Sequence, residues 1–340
     1  MTQILDNDQK LTKKDFTSDQ DVRWCPGCGD YAILSQVQKL FPTLGIPKEN
    51  FLIVSGIGCA SRFPYYMDTY GFHSIHGRAT AVASGAKLAN PNLSVWVVTG
   101  DGDAMSIGGN HLIHILRRNF DIKILMFNNK IYGLTKGQYS PTSELGKVTK
   151  STPMGSLDHP FNPSSLALGS GSTFVARTID RELKHMSEIV RLANEHRGAS
   201  FVDIYQNCNI FNDGAFSDLT DRETKQETQL NLEHDQPMSF GVENNKILKL
   251  EGSKFTVLNL EKGFSIDDAT IHNYSDKNLA FLLSEMTTDG NLTTPLGVLY
   301  KEEKATYEDM MVDQIKLARE KTSKVDLQKI ISGSNTWEVS

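Results

Sequence analysis

Apolar residues return along this chain in two rhythms. In residues 30–41, Ile33, Leu34, Val37, Leu40 and Phe41 share one side of a 3.6-residue period, which predicts a helix. The unbroken run Phe51-Leu52-Ile53-Val54 predicts a short buried strand, followed by the glycine-rich Ser55-Gly56-Ile57-Gly58-Cys59. The alternation continues with an Ala-rich helix over 77–88, a strand over 93–99, a helix over 107–118 and a strand over 122–127. A stretch rich in Gly, Ser, Pro and Thr then fills 133–163, and loops of that length are commonly functional or disordered. Strand, helix and strand resume at 173–176, 181–195 and 200–205. Such alternation predicts an α/β fold, a parallel sheet with helices on both faces. Ligands of such sheets bind beyond the carboxyl ends of the strands.

After Cys208 the pattern changes. Residues 246–250 and 255–260 read as a hairpin around Glu251-Gly252-Ser253-Lys254, with helices near 279–286 and 307–319. The expected organisation is a loose polar arm (1–22), a main domain (23–208) and a C-terminal elaboration packed on it (209–340). No internal repeat is visible.

Composition narrows the function classes. The chain has 340 residues, 39% of them hydrophobic, enough for a substantial core. Its net charge of −6 gives no reason to expect nucleic acid. The absence of a long uncharged apolar run predicts no membrane span. The first eight residues lack a signal peptide's basic and apolar regions, so a cytoplasmic, reducing setting is expected. There, four cysteines point to metal ligands or redox groups rather than disulfides.

The sharpest chemistry lies in Val98-Thr99-Gly100-Asp101-Gly102-Asp103 and, after a spacer of 25 residues from Gly102, Asn128-Asn129. Each segment falls at the carboxyl end of a predicted strand. Asp101 offers a carboxylate and Asn129 a neutral amide oxygen, both hard donors suited to Mg²⁺ on a diphosphate. The helix between them, read as starting near residues 106–109, turns free N–H groups toward the same place. Glycines 100 and 102 let the backbone come close to a ligand. A bare turn is the bland reading, and the flanking strands and paired asparagines weigh against it.

Trp24-Cys25-Pro26-Gly27-Cys28 invites a thioredoxin-like reading, but that motif follows an apolar strand and residues 13–23 are polar. Structural zinc is a second reading, although zinc ribbons usually pair two Cys-x-x-Cys motifs, and here the remaining cysteines, Cys59 and Cys208, are single. Both singles lie at or just beyond predicted strand ends. A 4Fe–4S cluster accepts four scattered thiolates and is favoured over zinc.

These segments carry a resemblance. Gly-Asp-Gly, the spacer and Asn-Asn resemble the thiamine diphosphate motif. Together with Trp24–Gly29, Gly56–Arg62, His76–Ala79, Asn129–Gln138 and Pro295–Tyr300, they resemble the beta subunit of 2-oxoacid:ferredoxin oxidoreductases, most of all its 2-oxoglutarate branch. The resemblance implies Mg²⁺ ligation by Asp101, Asn129 and the carbonyl of Ile131. It implies cluster ligation by Cys25, Cys28, Cys59 and Cys208. Thiamine diphosphate contacts would come from Ile57, Gly58, Cys59, Ala60, His76, Gly77, Arg78, Ala79, Gly102, Asp103, Gly133 and Leu134. Arg62 stands where the family often carries a cation facing substrate, and could pair with the distal carboxylate of 2-oxoglutarate. His76 could orient diphosphate or substrate, and Lys136 could face substrate or coenzyme A. A surface arginine, a packed histidine and a solvated lysine are the bland alternatives. His73, His111 and His114 read as structural.

The implied reaction is oxidative decarboxylation of a 2-oxoacid. Coenzyme A collects the acyl group and ferredoxin takes the electrons, passed singly through the cluster. Pyruvate and branched-chain 2-oxoacids remain open as substrates. A non-oxidative thiamine diphosphate enzyme with structural zinc is the rival reading, followed by a non-enzymatic metal-binding subunit. The glutamate that activates the aminopyrimidine in such enzymes has no visible counterpart. An alpha subunit carrying the pyrimidine-binding domain and that glutamate is therefore expected, and the chain alone should be inactive.

Overall fold

The structure is a computed structural model that describes residues 11–286, 293–322, 326–337 and 339. Eight strands form one sheet in the order β2-β1-β3-β4-β6-β5-β11-β7. They are β1 (Phe51–Ser55), β2 (Tyr70–His73), β3 (Ser94–Gly100), β4 (Ile122–Asn128), β5 (Phe174–Ile179), β6 (Ser200–Tyr205), β7 (Gln229–Leu232) and β11 (Thr294–Lys301). A separate antiparallel sheet joins β8 (Ser239–Phe240), β9 (Lys246–Glu251) and β10 (Lys254–Asn259), with β9 and β10 forming the expected hairpin.

The central strands are buried on both faces, and alternate residues divide between two cores. Leu52, Val54, Val95, Val97, Ile124 and Met126 pack on one side with helices α2 (Ala79–Ala89) and α4 (Gly109–Arg118). Phe51, Ile53, Trp96, Val98, Leu125 and Phe127 pack on the other with α1 (Asp30–Leu40) and α6 (Leu183–Glu195). This period-2 division of continuous apolar runs is what a helix-covered parallel sheet requires.

Four features differ from the sequence reading. First, the polar arm is not loose where it is described. Phe16 is wholly buried, edge-on to Phe41 and Phe51 at 5.7 and 5.5 Å, and anchors residues 11–22 to the main domain. Second, β11 runs antiparallel to β5 and parallel to β7, so the C-terminal segment extends the main sheet. Third, Asp101 opens a short helix, α3 (Asp101–Met105), directly after β3, and α4 begins only at Gly109. It is α3 whose amino end lies at the motif. Fourth, helix α5 (Pro163–Gly169) and the edge strand β2 had no clear apolar signature. The long loop of 133–162 contains no helix or strand. Among the described residues no helix is long and apolar enough to cross a membrane.

Candidate active site

Four neighbouring strands, β1, β3, β4 and β6, deliver their carboxyl-terminal loops to one place. β1 leads into Gly56–Cys59, β3 into Asp101, β4 into Asn129–Ile131 and β6 into Gln206–Cys208. Two cavities open there. One, of about 270 Å³, is lined by Ile57, Gly58, Cys59, Ala60, His76, Asp101, Gly102, Asp103, Asn129, Ile131, Tyr132, Gly133 and Leu134, among others. The second, of about 240 Å³, is lined by all four cysteines together with Trp24, Arg62 and Lys136. Cys59, Asn129, Gly133 and Leu134 belong to both walls.

The first cavity gathers the three expected Mg²⁺ ligands. Asp101 is buried, and its Oδ2 accepts hydrogen bonds from Ser140 Oγ at 2.5 Å and Thr142 Oγ1 at 2.6 Å. Burial pushes its carboxyl above the usual range, against the pull of those two hydroxyls. Among the described residues no ion pair includes Asp101, and a buried carboxylate so placed is a suitable partner for a cation. Asn129 Nδ2 donates to Gln206 Oε1 at 2.9 Å, while its Oδ1 accepts from Ile131 N–H at 3.2 Å.

Asp103 is engaged inside the protein. Its Oδ1 accepts from the N–H groups of Ile57 (3.0 Å) and Gly77 (2.7 Å) and from His76 Nδ1 (2.7 Å), and its Oδ2 from Thr99 Oγ1 (2.8 Å). Beyond its place in the cavity wall, it therefore pins two loops together. Because a carboxylate only accepts, the proton of neutral His76 sits on Nδ1, which leaves Nε2 as the free nitrogen. Gly56 is demanded by this latch, since an added Cβ would lie 2.0 Å from Asp103 Oδ2. Of the twelve residues expected to touch thiamine diphosphate, Gly77, Arg78 and Ala79 are not in the cavity wall. Gly77 and Ala79 are buried, and Arg78 turns its guanidinium to the carbonyl of Ile107 at 3.2 Å. The other nine line the cavity.

Around the second cavity, residues far apart in sequence hold the cysteine loops. Trp24 Nε1 donates to the carbonyl of Cys59 at 2.7 Å. Gln206 Nε2 lies 3.4 Å from Cys28 Sγ, and Asn209 Nδ2 donates to the carbonyl of Pro26 at 2.7 Å. Gly133 separates the single cysteines, where an added Cβ would lie 3.4 Å from Cys59 Sγ and 3.7 Å from Cys208 Sγ. Burial, then the Asp30 carboxylate, raises the Cys28 thiol, and the same causes push Cys59 up to about 12. Thiols held this way are poor nucleophiles for dithiol exchange at neutral pH. All four cysteines are free, and among the described residues no three His, Cys, Asp or Glu side chains converge on a single ion position.

Arg62 and Lys136 line this second cavity rather than the first. Arg62 is held by Tyr66, whose hydroxyl accepts from Nε at 2.9 Å. The sequence reading missed Tyr132, whose hydroxyl donates to the carbonyl of Gly102 at 3.0 Å and which lines the first cavity. It also missed Ser140 and Thr142. Their only signal is membership of the long polar loop.

The fold and the first cavity define a thiamine diphosphate enzyme. Residues 56–204 match the family described as thiamine pyrophosphate enzyme, C-terminal TPP binding domain. The 2-oxoglutarate oxidoreductase subunit KorB of Mycobacterium tuberculosis is 52% identical over 336 residues, 98% of this chain and 90% of that one. The beta subunit of 2-oxoacid:ferredoxin oxidoreductase 1 of Aeropyrum pernix is 47% identical over 190 residues, 56% of this chain and 60% of that one. A solved structure, 2-oxoglutarate:ferredoxin oxidoreductase from Magnetococcus marinus with 2-oxoglutarate, coenzyme A and succinyl-CoA bound, superposes with a TM-score of 0.77 at 32% identity, covering 96% of this chain and 97% of that one. The chain belongs to the beta subunits of 2-oxoacid:ferredoxin oxidoreductases, on the 2-oxoglutarate branch, and is thus a subunit of an oxidoreductase.

Proposed function

We propose that this chain holds Mg²⁺–thiamine diphosphate and one 4Fe–4S cluster in an enzyme that converts 2-oxoglutarate and coenzyme A to succinyl-CoA and CO₂ while reducing ferredoxin. The observation that carries this reading is the pair of adjoining cavities with Cys59 and Gly133 in both walls. One set of walls offers hard oxygen donors, Asp101, Asn129 and the Ile131 carbonyl. The other offers four thiols. Spread around a cavity rather than gathered on one point, they suit a cluster, in which each thiolate binds a different iron.

Thiamine diphosphate, when bound, supplies the carbon nucleophile that decarboxylates a 2-oxoacid. The residues of this chain do the rest. The Asp103 latch fixes the Gly56–Cys59 loop, closes it on His76 and sets the tautomer of that histidine. Arg62, its guanidinium fixed by Tyr66, is assigned to the distal carboxylate of 2-oxoglutarate, and Lys136 to substrate or coenzyme A. Among the described residues lining the first cavity there is no glutamate. This supports a requirement for an alpha subunit that carries the pyrimidine-binding domain and the catalytic glutamate. Residues 23–208 are read as the unit for cofactor and cluster, with 209–340 as an elaboration on it. Four free thiols fit a cytoplasmic setting.

The test is anaerobic purification of the chain with its alpha subunit, followed by iron and sulfide analysis, electron paramagnetic resonance and a 2-oxoacid panel with a viologen acceptor. A reducible 4Fe–4S signal and preference for 2-oxoglutarate are expected. Zinc without iron would overturn the electron-transfer half and favour the non-oxidative rival. Preference for pyruvate or a branched-chain acid would overturn the substrate, and full activity of the lone chain would overturn the partner requirement.

A further inference from the structure

Arg177 on β5 and Asp203 on β6 are register partners in the middle of the sheet, 1% and 0% exposed. Arg177 Nε lies 3.7 Å from Asp203 Oδ2, and Arg177 Nη2 donates to the carbonyl of Ser284 at 3.2 Å. Neither residue lines either cavity. A buried ion pair is often no more stabilising than well-packed apolar side chains. The contacts of this one lead toward the site. Asp203 Oδ1 accepts from Asn128 Nδ2 at 3.1 Å. Asn128 Oδ1 accepts from Thr142 Oγ1 at 3.0 Å, and the same hydroxyl lies 2.6 Å from Asp101 Oδ2. The line joins β6, the end of β4, the long loop and the start of α3.

Two details give the line a direction. Asp203, as an acceptor, selects the Asn128 orientation in which Nδ2 faces it and Oδ1 faces Thr142. Thr142 has one proton and presents it to two acceptors, Asn128 Oδ1 and Asp101 Oδ2, so its hydroxyl is held between them. Gln206, directly after β6, also holds the neighbouring Asn129. β6 and the residue that follows it thus steady both asparagines of the motif.

We propose that Asp203, neutralised by Arg177, is a positioning residue for the divalent-cation site, fixing the Asp101 carboxylate through Asn128 and Thr142. The proposal rests on the reading of Asp101 and Asn129 as cation ligands.

The experiment is a Mg²⁺ titration of thiamine diphosphate binding to the complex with the alpha subunit, followed by calorimetry. Thr142→Val and Asp203→Leu should each raise the half-saturating Mg²⁺ concentration about tenfold, the loss of one charge-assisted hydrogen bond. Their combination should go no further than the larger single effect, because both cut the same line. Asp203→Leu leaves Arg177 unpaired and lowers the melting temperature. Arg177→Met/Asp203→Leu removes both charges and the acceptor of Asn128, and should recover the melting temperature while the Mg²⁺ requirement stays high. An unchanged Mg²⁺ midpoint in Asp203→Leu, additive effects, or recovery of both properties in the charge-free pair would overturn the proposal. If wild-type binding ignores Mg²⁺, the cation reading itself falls, and the positioning role with it.

Discussion

Asp103→Ala should detach two loops at once. In the native chain the Asp103 carboxylate accepts from Gly77 N–H, Ile57 N–H, His76 Nδ1 and Thr99 Oγ1, with every distance between 2.7 and 3.0 Å. The Gly77 and Thr99 donors are buried, whereas Ile57 N–H and His76 are partly reached by solvent. A buried donor left without an acceptor costs about 1–3 kcal/mol. Two full losses and two partial ones amount to about 4 kcal/mol, a large share of the roughly 5–15 kcal/mol that holds a protein folded. Asp103→Asn keeps one oxygen for the two backbone N–H groups and turns its amide to the Thr99 hydroxyl, so its cost should be about 1 kcal/mol. The two variants are compared in the alpha-subunit complex by thermal unfolding and thiamine diphosphate titration. The alanine variant should melt roughly 10 °C lower and bind cofactor far more weakly, with the asparagine variant close to wild type. Gly56→Ala, which drives a methyl group into the same carboxylate, should resemble Asp103→Ala. Equal melting and equal cofactor affinity in Asp103→Ala and Asp103→Asn would refute the latch.

Three further outcomes follow from the geometry. Serine at Cys25, Cys28, Cys59 or Cys208 should lower iron and acid-labile sulfide in the purified complex; unchanged iron in any of the four removes that residue from the ligand set. Arg62→Ala should raise the KM for 2-oxoglutarate about tenfold while hardly moving that for pyruvate, since only the former offers a second carboxylate to lose; equal effects remove Arg62 from specificity. Burial, then the ammonium groups of Lys123 and Lys301, lowers the His196 pKa from 6.5 to about 4, so the folded chain keeps this ring neutral while the unfolded chain protonates it. Its contribution is complete above pH 6.5 and is lost as pH falls toward 4. His196→Gln should therefore flatten the stability loss across that window in denaturant unfolding, and an unaltered slope would show that other groups carry it.

The sequence alone determined the alternating elements and the strand ends on which Asp101, Asn129, Cys59 and Cys208 stand. These are local properties. Hydrophobic period selects strand or helix, and a parallel sheet brings strand ends to one edge whatever the details. It also brought out the thiamine diphosphate motif and the cysteine set, because those spacings are short or carried by recognisable segments. Tertiary structure alone decided what holds them. The Asp103 latch joins residues 46 and 26 positions away, the Asp101 hydroxyl partners lie 39 and 41 positions on, and Trp24 reaches the Cys59 carbonyl across 35. A side chain's hydrogen-bond partner is set by where the whole fold places it, and no local period records that. The antiparallel β11 is of the same kind. Its apolar residues announce burial, while its direction depends on the path of the chain between β10 and the sheet edge. Most of the residues that line the two cavities were legible in short motifs, and the contacts that hold them are ones that only the folded chain brings together.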